Sequence, residues 1–68
     1  MPDYYVNKQE QENGDHEVHE YNCSWLPKEE NRKYLGYFSD CHDAVRKAKE
    51  RYSQSNGCKY CCPACHTG

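Results

Sequence analysis

Apolar residues are sparse along this chain and fall into a few short patterns. Tyr4-Tyr5-Val6 is aromatic and β-branched and predicts a short strand. Asn13-Gly14 predicts a turn, because both residues tolerate positive φ. Beyond it, His16-Glu17-Val18-His19-Glu20-Tyr21 alternates, with His16, Val18 and Glu20 on one side and Glu17, His19 and Tyr21 on the other. Together these segments predict a β-hairpin. Asn22 to Pro27 reads as a turn leaving the second strand, and Pro27 rules out a continuing central strand. Lys28 to Lys33 is a charged loop. Tyr34-Leu35-Gly36-Tyr37-Phe38 is the richest apolar stretch and is expected to form a central strand. Gly36 within it marks a bulge or a close backbone approach.

The period then changes. Cys41, Ala44, Val45, Ala48 and Tyr52 recur at helical spacing and predict an amphipathic helix over about 40–52. Ser39 or Asp40 caps its start. Asp40 and Asp43 in the first turn, and Arg46, Lys47, Lys49 and Arg51 later, both suit the helix dipole. Ser53-Gln54-Ser55-Asn56-Gly57 reads as a turn-rich breaker. The tail, Cys58-Lys59-Tyr60-Cys61-Cys62-Pro63-Ala64-Cys65-His66-Thr67-Gly68, is too Cys-dense for an ordinary strand or helix.

Composition explains why the patterns are thin. Val, Leu and Phe number only six in 68 residues, Ile is absent, and the mean hydropathy is −1.34. So small an aliphatic core offsets little of the on the order of 100 kcal/mol of conformational entropy that ordering the chain costs. The alternatives are disorder, a disulfide or metal staple, or oligomerisation. Six cysteines and nine aromatic residues favour a staple. With no apolar run of membrane length and no apolar signal segment at the start, the expectation is a single cytoplasmic domain over 1–68. Residues 1–2 and 67–68 are expected as flexible ends. In a reducing compartment, cysteines more often bind metal than pair. The core is expected from Trp25, Tyr34, Tyr37, Phe38 and Tyr52. Cys41, on the apolar stripe, reads first as a small buried hydrophobe, with a disulfide or a ligand role as the alternative.

Two pieces of the chain have metal-ligand spacing. His19-x-x-x-Cys23 stands at the end of the second predicted strand, and the tail holds Cys58-x-x-Cys61 and Cys62-x-x-Cys65. A Cys-x-x-Cys turn converges two thiolates on one ion, and His19 and Cys23 can complete a tetrahedron. Thiolate and imidazole donors suit Zn²⁺. The expected set is His19, Cys23, Cys58 and Cys61 around one Zn²⁺, with Cys62, Cys65 and His66 as alternate ligands. Adjacent Cys61 and Cys62 point in different directions, so one of them is expected to be a spectator or a partner for another thiol. The resulting fold class is α+β: a small zinc-stapled domain with a short antiparallel sheet of about three strands, one helix and a C-terminal Cys-rich knuckle.

The order Val18-His19-x-x-x-Cys23, an aromatic/Gly strand, Ser39-Asp40 leading into Ala44-Val45, then Gly57-Cys58-Lys59-Tyr60-Cys61-x-Pro63 resembles the N-terminal metal-binding module of the Ada DNA-repair family. Similar modules are appended to some bacterial nucleases. The resemblance covers about residues 16–65. Gly57 stands where the family has Pro, and Cys62, Cys65 and His66 lie outside its pattern. The chain is also similar to a group of small bacterial proteins sharing Asn13-Gly14-Asp15-His16-Glu17-Val18-His19 and the Cys65-His66-Thr67 end, a grouping that implies no activity. In the Ada family a metal-bound Cys accepts a methyl group from a DNA phosphotriester. The matching positions here are His19 and Cys23, and an imidazole at the first position departs from the all-thiolate site that such transfer needs.

Charge bears on partners. Residues 1–20 carry six acids against one base, and residues 28–59 carry eight bases against five acids, within a net charge of −2. A dedicated nucleic-acid binder is usually strongly basic. The expected function is a non-catalytic zinc-binding structural or interaction module with a protein partner and, at most, a weak nucleic-acid contact. The alternatives are a nucleic-acid-associated accessory module of the Ada type and a thiol redox or disulfide protein.

Overall fold

A computed structural model describes residues 2–67. Five elements carry the architecture: β1 (Asp3–Asn7), β2 (His16–Glu20), β3 (Arg32–Tyr37), helix α1 (Cys41–Lys49) and β4 (Ser55–Gly57). Short 3₁₀ turns at Glu29–Asn31 and Pro63–Cys65 precede β3 and follow the Cys-rich tail's first half. The class is α+β with one helix. The sheet, however, has four strands in the order β3-β1-β2-β4, and it is mixed rather than purely antiparallel.

β1 and β2 form the expected hairpin, with Val6 opposite Val18 and Tyr5 opposite His19. Gly14 has φ +90°, and Asn13 Oδ1 accepts from the Asp15 N–H at 2.9 Å, so the Asn-Gly pair turns the chain as its chemistry dictates. β3 pairs antiparallel with β1 but lies at the edge, not in the centre. The register slips between Tyr4, opposite Gly36, and Tyr5, opposite Tyr34, leaving Leu35 as the extra residue. Gly36 sits beside this bulge at φ +142°, where a Cβ would come within 3.0 Å of the Phe38 ring.

α1 starts where Asp40 Oδ1 accepts from the Asp43 N–H at 3.2 Å. It ends three residues before the expected Tyr52. There the chain turns, and Tyr52 stacks on His16 with ring centroids 4.0 Å apart. β4 replaces an expected turn. Ser55-Asn56-Gly57 has no strand propensity, yet it runs parallel to β2 and all three residues are buried. Side-chain bonds make that burial tolerable: Ser55 Oγ donates to Tyr52 O at 2.6 Å, and Asn56 pairs with the Thr67 backbone at 2.8 and 3.0 Å.

The core lies between the sheet and α1. It comprises Tyr4, Val6, Val18, Leu35, Cys41, Ala44, Ala48 and Cys62, with Phe38, Val45 and Tyr52 packed against it. Three of the aromatics expected there are instead exposed: Trp25, Tyr34 and Tyr37. Strand alternation explains Tyr34. With Leu35 turned inward, Tyr34 faces the far side of the sheet, packs against Tyr5 and donates its hydroxyl to Asp3. The ends are held as well: Phe38 N donates to Pro2 O at 3.2 Å, and Thr67 bonds to Asn56. Of the expected flexible ends, Met1 and Gly68 lie outside the described residues.

Candidate metal centre

The hairpin end and the tail meet on the side of the sheet away from α1. His19 follows the inward-facing Val18, so strand alternation turns it to that far side. It is nevertheless only 1% exposed, because the loop after β2 and the tail close over it. Cys23 N donates to Glu20 O at 3.1 Å, a tight turn that brings the Cys23 sulfur back beside His19. The tail enters through Cys58, whose N–H extends the β2–β4 pairing by donating to Val18 O at 2.9 Å. A turn closed by Cys62 N to Cys58 O at 2.9 Å then delivers Cys61.

The result is a four-donor cluster. One ligand atom each from His19, Cys23, Cys58 and Cys61 lies within 4.8 Å of the others. Cys23 Sγ is 3.5 Å from His19 Nδ1 and 3.9 Å from Cys58 Sγ, and Cys61 Sγ is 3.9 Å from His19 Nδ1. A tetrahedral Zn²⁺ with bonds of ~2.3 Å to sulfur and ~2.0 Å to nitrogen has edges of about 3.8 Å between sulfurs and about 3.5 Å between nitrogen and sulfur. The observed spacings have those dimensions, so these side chains can hold a metal ion.

The surroundings favour the neutral imidazole that a metal requires, whereas the thiols need the cation itself to ionise them. Glu17 Oε1 is 3.6 Å from His19 Nε2, and Nδ1 faces the thiols, so a ring protonated on Nε2 offers them its Nδ1 lone pair. Burial holds the His19 pKa down at about 4, so the ring is neutral around pH 7. Glu20 N–H donates to Cys61 Sγ at 3.4 Å. The backbones of Tyr60 and Cys61 bond to the Cys58 sulfur, against a larger desolvation that pushes its pKa up. Burial likewise raises Cys61. Buried thiols in this state stay protonated unless a cation displaces the protons, which a dication bound by three sulfurs does.

The remaining tail residues go elsewhere. Cys62, 1% exposed, belongs to the hydrophobic core, and burial pushes its thiol up to about 11. Its sulfur stays 3.9 Å from Cys61 Sγ. His66 Nδ1 bonds to Gly57 O at 3.0 Å. Cys65, expected as an alternate ligand, is joined to Cys41 in a disulfide. Cys41 is thus buried on the helix stripe but is not a simple apolar filler. The pairing escaped sequence reading because the two cysteines meet only after the tail folds back. Gly57 permits that return, since a Cβ there would come within 2.7 Å of Cys65 Cβ and 2.9 Å of Cys62 O. Trp25 and Tyr60, both carried on the metal-site loops, stack at the surface with centroids 5.4 Å apart.

No helix among the described residues is long and apolar enough to cross a membrane. No family model, curated protein or solved structure matches the chain.

Proposed function

We propose that this chain is a small zinc-binding module in which His19, Cys23, Cys58 and Cys61 hold one Zn²⁺ that ties the end of the β1–β2 hairpin to the C-terminal tail. The observation that carries the reading is the set of donor spacings, which match the edges of a tetrahedral zinc site. Four protein donors fill the coordination shell and leave no position for water, so the role is structural and non-catalytic. The same four positions carry the resemblance to the Ada-type module. That resemblance supports metal binding but not methyl transfer, because His19 occupies a position where the transfer chemistry needs a thiolate.

The test is elemental analysis of the purified full chain together with the ¹³Cβ shifts of all six cysteines. The expected result is one zinc per chain, metal-thiolate shifts at Cys23, Cys58 and Cys61, oxidised shifts at Cys41 and Cys65, and a free thiol at Cys62. A zinc-free folded chain, or a disulfide among Cys23, Cys58 and Cys61, overturns the proposal.

A further inference from the structure

The Cys41–Cys65 pair stands apart from the metal centre, and four features bear on what it does. First, its two sulfurs are unequal. Cys41 is the first residue of α1 and is 8% exposed, whereas Cys65 is half-buried on the tail. The helix dipole stabilises a thiolate at Cys41, an effect that the flanking Asp40 and Asp43 oppose, and Cys41 is the less reachable sulfur, so attack falls on Cys65 and Cys41 is the leaving group. Second, Cys65 lines an open cleft whose other walls are His42, Val45, Arg46 and Lys49 of α1.

Third, that cleft is biased toward anions. The charged side chains that line it are basic, but Arg46 is partnered by Asp43 at 2.7 Å and His42 lies 3.8 Å from Asp40, so the bias rests on Lys49, which makes no ion pair among the described residues. Fourth, the tail does not depend on the disulfide for its position. Asn56 holds Thr67 by both backbone groups, His66 bonds to Gly57 O, and Cys65 N donates to Cys62 O at 3.0 Å. Opening the bond therefore leaves the cleft in place.

We infer that the Cys41–Cys65 disulfide is a thiol–disulfide exchange site for small anionic thiols, admitted through the His42/Arg46/Lys49 cleft and attacking at Cys65. The incoming thiolate forms an S–S bond to Cys65 Sγ as the Cys41–Cys65 bond breaks, and Cys41 leaves with the electron pair as a thiolate. A second thiolate then attacks the small-molecule sulfur of this mixed disulfide and releases Cys65 as a thiolate. Two thiols are oxidised to their disulfide, the protein pair is reduced by two electrons, and the two protons given up by the thiols end on Cys41 and Cys65.

The experiment mixes the zinc-loaded full chain with glutathione, an anionic thiol, or cysteamine, a cationic one, at equal thiolate concentration. Intact mass and peptide mapping follow the reaction. Glutathione is expected to open the bond about tenfold faster, with the first adduct on Cys65. The preference should shrink as salt is added and disappear in Lys49→Glu, an exposed position where the fold is retained. Arg46→Gln, also on the surface, serves as a second variant and should weaken the preference. Zinc content is measured in every sample, so loss of the metal reading is visible separately from loss of this one. A first adduct on Cys41, Cys58, Cys61 or Cys62, equal rates for the two thiols, or no opening at all overturns the inference. So does uptake of a second zinc by the reduced Cys41, His42 and Cys65 in place of re-formation of the bond with oxidised glutathione.

Discussion

Withdrawing the metal tests the central claim about how so polar a chain stays folded. At the usual 0.05–0.15 kcal/mol per residue, a chain of this length has a net stability of roughly 3–10 kcal/mol. A structural Zn²⁺ supplies about 10–16 kcal/mol of apparent binding free energy. The metal term therefore meets or exceeds the whole net stability. Its donors come from β2, the following loop and the tail, and Cys23 and Cys58 stand 35 positions apart with β3, α1 and β4 between them. Without the ion, the tail is held by the Cys41–Cys65 bond and by backbone pairing. That bond closes a 24-residue separation, for which chain entropy gives about 3.5 kcal/mol. A strong chelator in oxidising buffer should leave a weakened, partly folded chain. The same chelator with a reductant should unfold it. The assay is far-UV circular dichroism recorded alongside a zinc-release dye, and in reductant the two transitions should coincide. For a domain of this size 1 kcal/mol moves Tm by about 4–8 °C. A cooperative melt within about 5 °C of the holo value, after complete zinc removal in reductant, limits the metal's contribution to about 1 kcal/mol and refutes the reasoning.

Five further outcomes are expected. Cys58→Ser should abolish stoichiometric zinc binding. Cys62→Ala should keep one zinc per chain and cost on the order of 1–2 kcal/mol by denaturant titration, since it removes one buried core sulfur. Gly57→Ala should disrupt the tail by pushing a methyl group against Cys65 and the Cys62 carbonyl, which would show as faster Cys41–Cys65 reduction. Asp40→Ala should cost about 1 kcal/mol in thermal unfolding, because it removes the α1 cap. Finally, stability should fall with acid. His19 binds its proton at about 4 when folded and near 6.5 when unfolded, so the unfolded state takes up more protons in that window. Stability is full above 6.5 and declines as pH drops toward 4. Protons competing for the thiolates give zinc release the same sign, and a pH titration of bound zinc checks it.

The hairpin, the bulge beside Gly36 and the capped helix are local features, and each was legible because its determinants lie within a few residues. The His19-x-x-x-Cys23 and Cys58-x-x-Cys61 spacings likewise single out the four side chains that the fold brings together. What escaped reading depends on contacts between distant segments. β4 has no strand signal of its own, because its burial rests on bonds from Asn56 to Thr67 and from Ser55 to Tyr52. The apolar run 34–38 looked central, yet β3 lies at the edge. β3 pairs with β1, whose other side is taken by β2, and run length does not encode that pairing.

The aromatic residues show the same division. Aromatic character says that Trp25, Tyr34 and Tyr37 seek contacts, but not whether they find them in the core or on a surface face. The small α1 stripe of Cys41, Ala44 and Ala48 packs with Tyr4, Val6, Val18 and Leu35, while strand alternation turns Tyr34 to the far side of the sheet and Trp25 stacks on Tyr60 in the loops. By itself, then, the sequence determined that an aliphatic-poor chain needs a staple and which four residues have the spacing to bind a metal, since composition and local spacing are properties of the chain. Only the tertiary structure decided how the other two tail cysteines divide. Cys62 turns into the core and Cys65 reaches Cys41, because neighbouring side chains on a tight turn diverge, and their destinations depend on which parts of the fold surround the turn.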